Sequence, residues 1–311
     1  MTRLRTMLLV CAAMTLGTAG VAMAQDVGGG GEMGGGGEMG GGGEVGGGGE
    51  VTAAPDMSAP STYPISMAQR PLTLAASTLA IGDGGPEMIG PVFNIMHISV
   101  CVPNPLGGGE ICGSDTGVGL ILGASYGITD DLQIDGRVLP LQLSPDFRYG
   151  TGRVGATYRF VRGSVEVGAR AGFSLINADK IRAGIDVGVP LDVHIGDNMR
   201  LATGVMLNIG FYDKARLGLD IPLTFEFNVT PEVALGLSTG LQILDFDAAG
   251  DTINVPLRIF GGYTIADDQN RPMLDVGGYF GFPFFVQSGP GDALGTSFWE
   301  LGAYARFHLF M

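Results

Sequence analysis

Lysine is almost missing from this chain: Lys180 and Lys214 are the only two among 311 residues. Charge of any sign is scarce, at 15% of residues, and the balance is a net −14 at pH 7. Few bases and no basic patch exclude a nucleic-acid surface. No apolar run after the leader reaches the roughly 18 residues of a spanning helix. Of three histidines and three cysteines, only His97 lies near Cys101 and Cys112, and no further ligand set for a metal is visible. No serine stands in a nucleophile setting, and no lysine follows the glycine runs as a phosphate loop requires. Neither catalysis, a cofactor nor a metal is expected.

The first 24 residues read as a secretory signal. Arg3 and Arg5 precede an apolar stretch from Met7 to Val21, and Ala22-Met23-Ala24 supplies a small-x-small cleavage site. Losing both arginines takes the net charge from −14 to −16. The exported chain keeps two cysteines, Cys101 and Cys112. An even number in an oxidising compartment predicts a disulfide between them.

Glycine is what this chain has in excess, at 55 residues. Residues 28–51 are GGGGEM, GGGGEM, GGGGEV, GGGGEV. Four glycines per unit bury nothing and lose much backbone entropy on ordering, so residues 25–70, with Pro55, Pro60 and Pro64, are expected to be a disordered linker. A solvated spacer is the simpler reading of the repeat, against weak cation attraction by its glutamates.

From Pro71 the period becomes two. In 181–195 the odd positions are apolar, from Ile181 through Val187 to Ile195, whereas the even positions include Arg182, Asp186, Asp192 and His194. Alternate side chains of a strand point to opposite faces, so one face is dry and the other ionic. Similar runs fall at 72–81, 117–127, 132–143, 152–161, 164–176, 199–211, 215–228, 232–244, 252–264, 273–286 and 298–311. Each is long enough to cross a bilayer as a tilted strand, which takes about 9–11 residues. Tight turns such as 129–131, 161–164 and 196–198 alternate with longer links such as 144–152, 245–251 and 287–295. Aromatics form two rows, with outward Tyr126, Tyr158, Phe160, Phe225, Phe227, Tyr263 and Phe307 near one end, and Phe211, Phe282, Phe284 and Phe298 at the other. Two interfacial rows are what a bilayer selects.

On these features the chain resembles the bacterial outer-membrane β-barrels of the porin-like class over residues 72–311, closing with ELGAYARFHLFM. Such proteins usually end on an aromatic; here Met311 follows Phe310. The resemblance implies an all-β, antiparallel, up-and-down transmembrane barrel of about 12 strands over 71–311. It also implies outer-membrane location, lipid and the barrel-assembly machinery as partners, and small solutes as cargo. Oligomeric state is left open.

Parity puts Arg137, Arg153, Arg159, Glu166, Arg170, Arg182, Asp186, Asp192, Arg200, Arg216, Asp220, Glu226, Arg258, Asp275, Glu300 and Arg306 toward the lumen, with Asp135 among them. Two readings stand: a transverse field that selects solutes, or ion pairs that hold the wall. The turn at 162–163 is expected to set Arg159 directly across from Glu166. Lumen-facing glycines, Gly155, Gly168, Gly172 and Gly188 among them, are expected to leave interior space. Residues 83–115, with the apolar run MIGPVFNIMHISVCV, are read as a long outer loop that narrows the mouth, against an extra strand at 92–102. Pro140, Pro190, Pro222, Pro256 and Pro283 lie inside proposed strands, where each removes a ladder hydrogen bond and marks a bulge or a misplaced boundary. The function expected is passive diffusion of small hydrophilic solutes; the alternatives are a non-conducting structural or surface-interaction barrel and uptake of apolar compounds.

Overall fold

The computed structural model describes residues 63–82, 93–103, 110–145, 147–177, 181–211, 215–243, 246, 253–287 and 297–311. The expected signal, the Gly/Glu repeat and most of the longer links lie outside the described residues. The strands are β1 (Thr78–Ile81), β2 (Phe93–Pro103), β3 (Glu110–Thr129), β4 (Leu132–Ser144), β5 (Arg148–Tyr149), β6 (Thr151–Val161) and β7 (Val165–Asn177). They continue as β8 (Ile181–Ile195), β9 (Met199–Phe211), β10 (Ala215–Asn228), β11 (Val233–Ile243), β12 (Ile253–Ala266), β13 (Pro272–Gln287) and β14 (Phe298–Phe310).

Neighbours in sequence pair as antiparallel neighbours in space from β6 to β14, and β14 pairs with β2, β2 with β3, β3 with β4 and β4 with β6. The ring therefore closes with 12 strands. A closed barrel leaves no edge strand, which is the condition for crossing lipid with a sheet.

The expected count holds, but one strand was misplaced. The run at 72–81 forms wall only from Thr78, as the four-residue β1. Most of the expected outer loop at 83–115 is strand instead: Phe93–Pro103 and Glu110 onward form the β2–β3 hairpin. β1 and β2 share one lane, since β1 pairs with Phe307–Phe310 of β14 and β2 with Phe298–Ala303. The lane was hard to see because β2 has no ionic face. Its inward Met96 and Ile98 are buried while its outward Phe93 is 41% exposed, so apolar residues on both faces hide the alternation.

Elsewhere the surface is inside out. On β8, Val187 and Val189 are 39% and 48% exposed, while Asp186 and Asp192, before and after them, are buried. An outer surface of Val, Leu, Ile and aromatic side chains meets acyl chains, and the ionic face meets the lumen. The prolines are accommodated by gaps in the ladder. β7–β8 pairing stops at Val167↔Leu191 and resumes in register at Arg170↔Gly188, which leaves Pro190 without a partner that needs its missing amide. Pro256 and Pro283 both fall in an expected bulge, where the β12–β13 pairing steps from Val255↔Val286 to Leu257↔Phe282.

Residues 63–77 enter the barrel at the end of the short turns. Tyr63, Ile65, Met67, Ala68, Leu72, Leu74 and Ala75 are all buried there, around a 3-10 turn at Met67–Gln69. The stretch expected as linker to residue 70 thus ends earlier, because 63–70 is packed inside the wall rather than solvated.

Candidate pore and its inner segment

Each acid on the lumen face of β4, β7 and β8 has an arginine from a neighbouring or next-neighbouring strand. Arg170 donates two bonds to Asp135, at 2.7 and 2.8 Å, and both side chains are buried. Arg153 grips Asp186 at 2.6 and 3.1 Å. Arg170 also approaches Asp186 to 3.7 Å, so two carboxylates and two guanidiniums form one patch across β4, β6, β7 and β8. Further round, Arg200 lies between Asp192 and Glu226 at 3.4 and 3.5 Å. Arg258 holds Glu300 and stacks 4.6 Å over the ring of Tyr279. Planar guanidiniums suit such forked, stacked contacts, whereas an ammonium presents a point charge.

The Arg159–Glu166 contact forms at 2.8 Å, but not by direct opposition. A bulge between Arg159 and Val161 sets Arg159 opposite Gly168, and Glu166 opposite Asp192 on β8. The pair is diagonal. Arg137, Arg216, Asp220 and Arg306 also have polar or electrostatic partners. The side chain of Arg182 lies outside the described residues, as do those of Cys101 and Cys112, although the β2–β3 register sets the two cysteines opposite each other.

The glycines do not open a channel beside these pairs. At Gly172 an added Cβ would fall 2.5 Å from the Asp186 carboxylate, and at Gly168 it would fall 2.8 Å from Leu72. The missing side chains make room for long neighbours and for the inner segment.

That segment supplies the site residues that sequence reasoning missed. The Arg70 guanidinium binds both oxygens of Asp275, at 2.5 and 2.8 Å, and the carbonyl of Ile65 at 2.9 Å. His308 meets the same carboxylate from β14 at 2.8 Å. Main-chain amides of the segment donate to lumen side chains around the mouth: Ala68 to Asn228 at 2.8 Å, Leu72 to Glu166 at 2.6 Å and Leu74 to Gln133 at 2.8 Å. The Thr73 hydroxyl donates to the carbonyl of Asp130, and the Ala76 amide to its carboxylate. Arg70 had one signal in the sequence: no other arginine or lysine lies between Arg5 and Arg137.

Above the segment is a cavity of about 60 Å³, with Met67 and Arg70 as its inner-segment lining and Arg200, Arg258, Tyr304 and Arg306 among its walls. That is room for about two waters. Among the described residues no cluster could hold a metal ion.

No family model matches the chain, and no curated protein matches it. Solved structures similar to it include an outer membrane channel from Pseudomonas putida F1, at 13% identity, covering 81% of this chain and 99% of that one, with a TM-score of 0.46. The translocator domain of the autotransporter NalP from Neisseria meningitidis is 8% identical over 76% of this chain and 90% of its own, with a TM-score of 0.41. The outer membrane protein OmpT of Vibrio cholerae, in its trimer form, is 10% identical over 76% of this chain and all of its own, with a TM-score of 0.36. Likenesses this loose carry no argument about activity; the barrel rests on its own strand pairing.

Proposed function

We propose that the protein is an outer-membrane channel for passive diffusion of small hydrophilic solutes. The observation that carries this reading is the polarity of the interior. A barrel serving only as a wall fills its lumen most cheaply with apolar side chains, since replacing a buried ion pair by a hydrophobic pair is often neutral or stabilising. Here Asp135, Arg153, Arg170, Asp186, Arg200, Glu226, Arg258 and Glu300 line it. Paired charges of both signs set a transverse field that orients dipolar solutes and disfavours apolar ones. The narrowing element is the inner segment at the short-turn end, in place of the outer loop expected from sequence.

The alternative, a non-conducting structural barrel, draws on the same pairs read as braces and on the small size of the cavity. Swelling of vesicles containing the folded protein separates the two. Small sugars and zwitterionic amino acids should enter faster than into protein-free vesicles, whereas equal rates would favour the structural reading.

A further inference from the structure

We infer that residues 63–77 are a displaceable gate, hinged at Ser77 and latched to the barrel by Arg70 and Asp275; the inference rests on the channel reading above. Three observations carry it. First, the wall is complete without the segment, because every strand of the ring has both neighbours from other strands and the chain joins the sheet only at Thr78. Lifting 63–76 from the mouth therefore breaks no ladder, while Ser77, the hinge, stays bonded to Gly127 and Met311. Second, the segment stands where a gate must. Met67 and Arg70 line the 60 Å³ cavity, so their departure joins that cavity to the mouth at the short-turn end.

Third, the fastening is of a kind that opens. The amides of Ala68, Leu72 and Leu74 are held by side chains of Asn228, Glu166 and Gln133, and water can take either role when the segment lifts. The strongest contact is one fork of charge-assisted bonds from Arg70 to Asp275, with both side chains buried. Desolvation offsets much of the attraction in a buried ion pair, so its two charges can part when both are rehydrated, whereas removing one partner strands the other and disfavours the closed state, as a latch with two states requires. Buried apolar side chains run along the segment, with Leu72 against Gly168 and Met67 against Gly262, and one cluster lies beside the hinge. Leu74 and Ala75 pack with Ala80 and Tyr63 against Phe310, and Ser77, whose amide bonds Gly127, turns the chain with φ at 57°.

The test uses the full-length chain in planar bilayers, with heat-modifiable gel mobility as the check on folding. Arg70→Ala should raise the fraction of time spent conducting on the order of tenfold or more, the factor that one charge-assisted bond carries. An Ala68→Cys/Asn228→Cys chain should be silent when oxidised and conduct after reduction, with Ala68→Cys alone insensitive to reductant as the control for Cys101 and Cys112. An oxidised double-cysteine chain that is verified as crosslinked and conducts as wild type does would overturn the gate and leave the channel standing. An Arg70→Ala chain that opens no more often than wild type would overturn the latch. Folded Arg70→Ala and reduced double-cysteine chains that both stay silent would overturn gate and channel together.

Discussion

Asp135 and Arg170 show what the lumen asks of single residues. Their side chains are almost wholly enclosed, and Thr157 takes a further Arg170 bond at 3.0 Å. Removing one partner strands a buried charge, so Asp135→Ala should cost about 3–5 kcal/mol of folding stability, measured by urea titration in lipid vesicles. Replacing both, Asp135→Leu with Arg170→Met, should cost far less; equal losses would show that the pair is worth more than its burial. At the rim, hydrogen bonds from Arg162 hold the Asp131 carboxyl below the usual carboxylate range, against the opposing effect of its partial burial. A depressed carboxylate stabilises the fold fully above its unfolded pKa of about 3.9 and loses that contribution as pH falls through the folded value. The turn after β3 should therefore be insensitive to pH at neutrality and loosen only in acid. Arg162→Ala should move the onset of that loosening upward, read from amide exchange of residues 129–132.

The strands were the easiest elements to read from sequence, and where the reading failed the cause is specific. β8 declared itself because lipid and lumen demand opposite chemistries, so every second residue is constrained. Val187→Arg should impair assembly by about 2–4 kcal/mol near the bilayer midplane, whereas Val187→Leu should fold as wild type does. The neighbouring Gly188 is less permissive than its lumen-facing parity suggests, because a Cβ there would overlap Met206 and the Val205 carbonyl. β2 was lost in an apolar run, since Met96 and Ile98 fill the interior where other strands carry charge. The hairpin it forms sets Cys101 opposite Cys112. We expect the folded, unreduced protein to offer no thiol to an alkylating reagent and two after reduction; two reactive thiols before reduction would contradict the disulfide.

At the scale of the whole molecule, a barrel was legible from the period and the aromatic rows, but its occupant was not. Parity names which side of a strand a residue takes and says nothing of a non-strand segment that folds into the lumen. Tyr63 to Ser77 has no period to detect, and its partners Glu166, Asn228 and Asp275 are distant in sequence. The charged ring was visible residue by residue, while its pairing depended on bulges and diagonals such as Arg159–Glu166. The account's central claim is that this polar interior is a water path closed by the chain's own N-terminal segment. Single-channel current through the folded protein, recorded for wild type and Arg70→Ala, tests it most directly. Brief stepwise openings in wild type that become frequent in the variant are the expected result. A silent membrane from both folded barrels would contradict it.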